Sequence, residues 1–146
     1  MKRILTSVKV RYRDVDALGH VNHAVYLTFL EEACNHFWAE LLTGVGRPFA
    51  PTALGYVTVR AEIDYRSPAY CGDVVVIHGR VTTIGKSSFT TLWRILDQAT
   101  ATLICESKTV QVVTFPGPEP KKMPADIETA LREYLSRDDG PSREQL

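Results

Sequence analysis

The chain has 146 residues, in which 17 Lys and Arg balance 17 Asp and Glu. One domain with its own core is expected, and there is no global field of the kind that holds nucleic acid. With 45% hydrophobic and 23% charged residues and no run long enough to span a membrane, the composition is that of a soluble globular domain. The start, MKRILTSVKVRYR, is too basic and has too short an apolar run for a secretory signal, which predicts a cytoplasmic location.

In chain order, Val8, Val10 and Tyr12 alternate with Lys9, Arg11 and Arg13, the period of a half-buried strand. Asp14 to His23, DVDALGHVNH, breaks that period and reads as a loop. From Ala24 to Leu42 the residues Leu30, Ala33, Cys34, Phe37, Trp38, Leu41 and Leu42 recur at three and four, predicting one long helix. Asn22 is its expected cap and Gly44 its expected stop. Tyr26, Leu27 and Phe29 widen the apolar surface, so this helix is expected to be enclosed on more than one side. Gly46 to Ala53 forms a Pro-rich connection.

Val57, Val59, Ala61, Ile63 and Tyr65 then alternate strictly with Thr58, Arg60, Glu62, Asp64 and Arg66, predicting a strand with one apolar face. The turn SPAYCGD leads into VVVIHGRVTTI, GKS into SFTTLWRIL, and DQAT into TLICESKTVQVVTF. These turns join three further strands in an antiparallel meander. Pro116, Pro118 and Pro120 should end the sheet, Asp126 to Leu135 should form a short amphipathic helix, and the tail SRDDGPSREQL should be frayed. The expected fold is α+β within a single domain, residues 1–146. Its core covers about 5–115, with a C-terminal helix near 124–136.

The chemistry concentrates in Asp14 to Asn22, where two carboxylates, a histidine and an amide stand before a helix whose first N–H groups have no intrahelical acceptor. Free donors and the helix dipole both favour an oxyanion there, so acyl transfer is the natural reaction. Asp16 would act as general base on water or as nucleophile, while the backbone N–H near His23 polarises the carbonyl. His20 would orient Asp16 or contact the thioester, or be a histidine satisfied by loop backbone.

The segment VRYRDVDALGHVNHAVYLTFLEEA, with its D-x-x-G-H-V-N-x-x-x-Y pattern, resembles the catalytic segment of hotdog-fold acyl-CoA thioesterases. These include the 4-hydroxybenzoyl-CoA type and the long-chain acyl-CoA thioesterases. IDYRSPAYCGDVVVIHGRV is similar to the same family's second-strand region, and the resemblance covers roughly residues 5–115. It implies a curved antiparallel sheet wrapped around one long central helix, Asp16 as the catalytic residue, and the backbone N–H of His23 as oxyanion donor. It also implies hydrolysis of an acyl-CoA to free acid and coenzyme A, in a homodimer or homotetramer with sites at subunit interfaces. No metal or redox cofactor is expected, coenzyme A entering only as part of the substrate. Plant acyl-carrier-protein thioesterases carry an asparagine two residues after the aspartate, where this chain has Leu18, which turns the expectation away from carrier-protein substrates. Several relatives carry arginine where this chain has Cys34.

Other candidates have plainer readings beside the functional ones. Lys86, Ser87 and Ser88 could bind the pantetheine or phosphates of coenzyme A, or be a simple hairpin turn. Asn22 and Tyr26 are taken as substrate-binding candidates, although a cap and a core aromatic explain them too. Asp14 reads as a solvated or turn residue. Glu31 and Glu32 are helix carboxylates of the kind another hotdog branch uses, and His36 and His78 lack metal-ligand spacing. Cys34, Cys71 and Cys105 fit no CxxC spacing and each reads as a free buried thiol. A hotdog dehydratase or hydratase using His20 or His23, and a non-catalytic acyl-CoA binding module, remain as rivals.

Overall fold

The computed structural model describes residues 2–50, 55–114 and 121–135. The end of the Gly46–Ala53 connection, the three prolines after β5 and the C-terminal tail lie outside the described residues. The elements are β1 (Ile4–Lys9), a 3-10 turn (Tyr12–Asp14), α1 (Val25–Gly44), β2 (Tyr56–Tyr65), β3 (Val74–Ile84), β4 (Ser88–Asp97), β5 (Leu103–Val113) and α2 (Ala125–Arg132). The five strands form one antiparallel sheet in the order β1-β3-β4-β5-β2, leaving β1 and β2 at its edges.

The meander and α1 match the sequence periods, α2 ends at Arg132 short of the expected Leu135, and the other differences have local causes. Strand β1 ends at Lys9 opposite Val74, four residues before the expected end at Arg13. Beyond it, Asp14 bonds the Arg11 N–H at 2.8 Å and the Arg11 guanidinium at 3.2 Å, which bends the chain into the 3-10 turn and leaves Tyr12 88% exposed. Gly44 lies inside α1. The stop is Gly46 at φ +73°, whose N–H bonds Thr43 O while the Arg47 N–H bonds Leu42 O, closing the last carbonyls.

In β2 the strict alternation fails at a bulge. Thr58 pairs with Gln111 and Arg60 with Val110, so Val59 is an extra residue. Tyr56, not Val57, then faces the core, and Val57 and Val59 are exposed.

Helix α1 lies on one face of the sheet, burying Phe29, Leu30, Ala33, Phe37, Trp38, Leu41 and Leu42 against Val75, Ile77, Val81, Phe89, Trp93 and Ile95. The Trp38 ring stacks on Phe89 at 5.7 Å, and Phe37 meets Phe89 and Tyr134 edge-on. The expected enclosure on more than one side is not met within one chain, because Leu27, Glu31, Glu32, His36 and Glu40 remain exposed. Helix α2 seats Ile127 and Leu131 in the core, and Arg47 holds Asp126 at 2.6 Å.

This packing gives the molecule two ends. One gathers the start of α1, the ends of β1 and β2, and the β2–β3 and β4–β5 turns. The other gathers the end of α1, the start of β2 and the Gly85–Ser87 turn.

Candidate active site

Asp14 to His23 folds as a tight hairpin at the first of these ends. Val15 and Val21 form a lone antiparallel bridge, Asp16 N–H bonds His20 O at 3.2 Å, and Gly19 at φ +83° turns the chain while its N–H bonds Asp16 O. Val21 N–H bonds Ala69 O at 2.8 Å, pinning the hairpin to the β2–β3 turn. Each bond satisfies a backbone group that would otherwise need water.

On this frame the Asp16 carboxylate accepts two hydrogen bonds. Leu18 N–H reaches Oδ1 at 2.8 Å, an Asx-turn, and Asn22 Nδ2 reaches Oδ2 at 3.0 Å. The Leu18 bond and then the Asn22 bond hold the carboxyl below the usual carboxylate range against the opposing effect of burial, with lesser help from the nearby His20 and His23. Asp16 is therefore an anion at neutral pH, able to take a proton from water or attack a carbonyl.

The head of α1 lies beside it. Ala24 N–H bonds Asn22 Oδ1 and Val25 N–H bonds the Asn22 carbonyl, both at 3.0 Å, while the His23 N–H has no acceptor among the described residues. An open donor near an ionised carboxylate can stabilise negative charge developing on an oxygen held between them. The His20 ring is half-buried with Nδ1 3.2 Å from Val21 O; with the proton on Nδ1 this is a hydrogen bond and Nε2 is left as acceptor.

The structure redistributes the other candidates. Asp14 is buried and ion-paired with Arg11, so the solvated reading gives way to a structural one. Both polar ends of the Asn22 side chain are engaged within the chain, which sets it apart from a substrate ligand. Tyr26 is 3% exposed between Phe29 and Tyr65, and burial pushes its phenol up to about 12. Burial likewise pushes the Cys34 and Cys105 thiols up to about 12, whereas Cys71, on the β2–β3 turn, is exposed and not the buried thiol expected. Glu31 and Glu32 are exposed on α1, and exposed His36 faces Glu40 at 3.5 Å.

Lys86, Ser87 and Ser88 stand at the opposite end of the same chain. Ser87 O bonds Val113 N–H, and Val113 pairs with Tyr56 at the start of β2, whereas the Asp16 hairpin adjoins Tyr65 at its end. Ten residues of β2 separate the two, roughly 30 Å at strand rise.

Sequence reasoning missed Tyr65 as a site residue. Its hydroxyl donates to His23 O and its ring stands edge-on to His23 and Tyr26. It also missed the Leu18 N–H, which the Asp-x-x-Gly spacing of a turn could have suggested.

The family model for the thioesterase-like superfamily matches residues 10–131. A 1,4-dihydroxy-2-naphthoyl-CoA hydrolase of Synechococcus elongatus is 33% identical over 87 residues, covering 59% of this chain and 64% of its own length. The match thus spans less than two thirds of that relative. The acyl-CoA thioester hydrolase YbgC of Escherichia coli O6:H1 is 28% identical over 127 residues, covering 82% of this chain and 89% of its own. Among solved structures, a thioesterase from Thermus thermophilus complexed with coenzyme A and Zn superposes with a TM-score of 0.74 at 28% identity, covering 88% of this chain and 96% of its own. The helix-on-sheet architecture is thus the hotdog fold.

Proposed function

Because the chain belongs to the thioesterase-like superfamily, we propose that it hydrolyses an acyl-coenzyme A thioester to the free acid and coenzyme A. The observation that carries this reading is the Asp16 carboxylate, fixed by Leu18 and Asn22 beside the open N–H of His23. As general base, Asp16 takes a proton from a water whose oxygen attacks the thioester carbon. The tetrahedral oxyanion is met by the His23 N–H, and its collapse breaks the C–S bond, the departing coenzyme A thiolate taking up that proton and the free acid remaining. As nucleophile, Asp16 itself displaces the thiolate, and water then cleaves the acyl-Asp16 anhydride to the acid. Relatives that act on acyl-CoA, and a solved relative holding coenzyme A, support the substrate class.

The working unit in this proposal is a homodimer joined through β2. That strand is a sheet edge whose Val57 and Val59 are 47% and 58% exposed, and beside its Tyr65 end Leu27 of α1 is 43% exposed. An edge of this kind is paired or covered in stable proteins. Antiparallel pairing of two β2 strands about a two-fold axis turns one copy end for end. It carries the partner's Lys86, the partner's Ser87 and the partner's Ser88 toward Asp16, and so gives the turn a role in holding coenzyme A that its own chain's geometry denies it.

A panel of aromatic and aliphatic acyl-CoA substrates, followed by thiol release, tests the activity. Asp16→Asn on folded protein should cut turnover by at least about 10²-fold with little change in affinity for a thioether analogue. Near-normal turnover by that variant defeats the assignment. A wild-type protein that binds acyl-CoA yet never releases thiol defeats hydrolysis itself. A clean monomer by sedimentation at micromolar concentration defeats the composite site.

A further inference from the structure

We propose that Asn22 is a positioning residue, a clasp that fixes the Asp16 carboxylate to the head of α1 and leaves the His23 N–H as the donor for the acyl oxygen. The inference rests on Asp16 being the reactive carboxylate. Four hydrogen bonds define the clasp, all at 3.0 Å. Asn22 Nδ2 donates to Asp16 Oδ2, Oδ1 accepts from Ala24 N–H, the main-chain carbonyl accepts from Val25 N–H, and the main-chain N–H donates to Asp14 O.

The partners leave the amide no freedom. Ala24 offers only a donor and the ionised Asp16 only acceptors, so Oδ1 must face the helix and Nδ2 the carboxylate. Flipping the amide would put donor against donor and acceptor against acceptor.

Two consequences follow at the site. Leu18 N–H on Oδ1 and Asn22 on Oδ2 each take one lone pair, which locks rotation of the carboxylate and leaves one free lone pair per oxygen for water or thioester. At the helix head, Asn22 itself occupies the Ala24 and Val25 donors and thereby singles out His23. A simple helix cap would need only the Oδ1 contact. The contact to Asp16 goes beyond capping, and it joins the two parts of the proposed machinery through one side chain.

Asn22→Asp separates the roles. Aspartate caps as well as asparagine, so Ala24 keeps its acceptor, while Asp16 loses its donor and gains a second carboxylate at about 3 Å, where two carboxyls cannot both ionise freely. Asn22→Ser, also a good cap, removes the donor without adding charge. The carboxyl of Asp16 is titrated by NMR in ¹³C-aspartate-labelled full-length protein, with its resonance assigned through Asp16→Asn, beside the pH profile of kcat/KM on the best acyl-CoA.

For Asn22→Asp the Asp16 midpoint is expected to rise by about one pH unit or more. Turnover at pH 7 should fall at least about 10-fold, with KM nearly unchanged and the melting temperature at pH 7 somewhat lowered, because the raised midpoint is itself a loss of stability at that pH. Asn22→Ser should move the midpoint the same way by less. An Asp16 midpoint that stays in place in both variants overturns the clasp. A midpoint that moves while kcat/KM keeps its profile leaves the clasp standing and removes Asp16 from the chemistry.

Discussion

The Tyr65 hydroxyl donates to the carbonyl of His23 across 2.8 Å, tying the last residue of β2 to the residue that follows Asn22, the partner of the Asp16 carboxylate. Tyr65→Phe keeps the ring contacts with Tyr26 and His23 and removes only this bond. A net hydrogen bond is worth about 1 kcal/mol, so turnover should fall about five-fold with KM and melting temperature little changed. Steady-state kinetics on the purified variant checks it. Unchanged turnover would mean that the hairpin and α1 place His23 without help from β2.

A second test concerns the His23 main chain. His23→Ala keeps the N–H and should retain much of the activity, whereas His23→Pro removes the donor and should cost about 10²–10³ in turnover. Circular dichroism must show α1 intact in both variants. A folded proline variant with normal turnover would move the oxyanion contact elsewhere.

The pH response has two separable parts. The Leu18 and Asn22 bonds keep Asp16 ionised below the usual carboxylate range, so kcat/KM should stay level from neutral pH down to about 5, its acid limb lying below the ordinary aspartate value of about 3.9. Asp14 supplies the other part. Burial works to raise its carboxyl, but the Arg11 side chain, the Arg11 N–H and the Arg11 charge overcome it and hold it down. A depressed folded pKa stabilises above the unfolded value and is lost as pH falls through the folded one. The denaturation midpoint should therefore hold between pH 7 and 5 and drop below about 4, and Asp14→Asn should flatten that drop. A pH series of urea melts on wild type and variant measures the difference.

The core has one tight backbone approach that a single methyl tests. A Cβ built on Gly79 would lie 2.5 Å from Trp93 Cζ3 and 2.8 Å from Cε3, and Trp93 cannot retreat because its Nε1 is bonded to Thr109 Oγ1 at 2.8 Å. Gly79→Ala should destabilise the protein by about 1–3 kcal/mol, seen as a lower melting temperature. A variant as stable as wild type would mean that β3 and β4 shift apart freely.

Much of the site was legible before any coordinates, because its signals are local. Asp16, Gly19 and Asn22 fall within seven residues, and the Asx-turn, the glycine turn and the helix entry that join them depend on chain geometry at that range. The reading faltered where a residue's neighbour is remote in sequence. For Asp14 the turn reading holds and the solvated one does not, because its burial comes from the folded loop. Tyr65 read as one apolar strand residue among five because its partner, His23, is 42 positions away. Lys86 read as able to share a site with Asp16 because a turn does not reveal at which end of the sheet it will lie.

Local pattern was enough for the α+β class, the single long helix, the three-strand meander and the loop that carries Asp16, since hydrophobic period and turn chemistry act within a few residues. The folded chain alone settled that β1 pairs with β3, that Val59 is a bulge sending Tyr56 inward, that Gly46 ends α1, and that the Asp16 and Lys86 segments occupy opposite ends. Those outcomes depend on which strand ladders close and which side chains fill the space between α1 and the sheet. Such pairings gain their free energy only when segments far apart in the chain meet, and no local pattern records it.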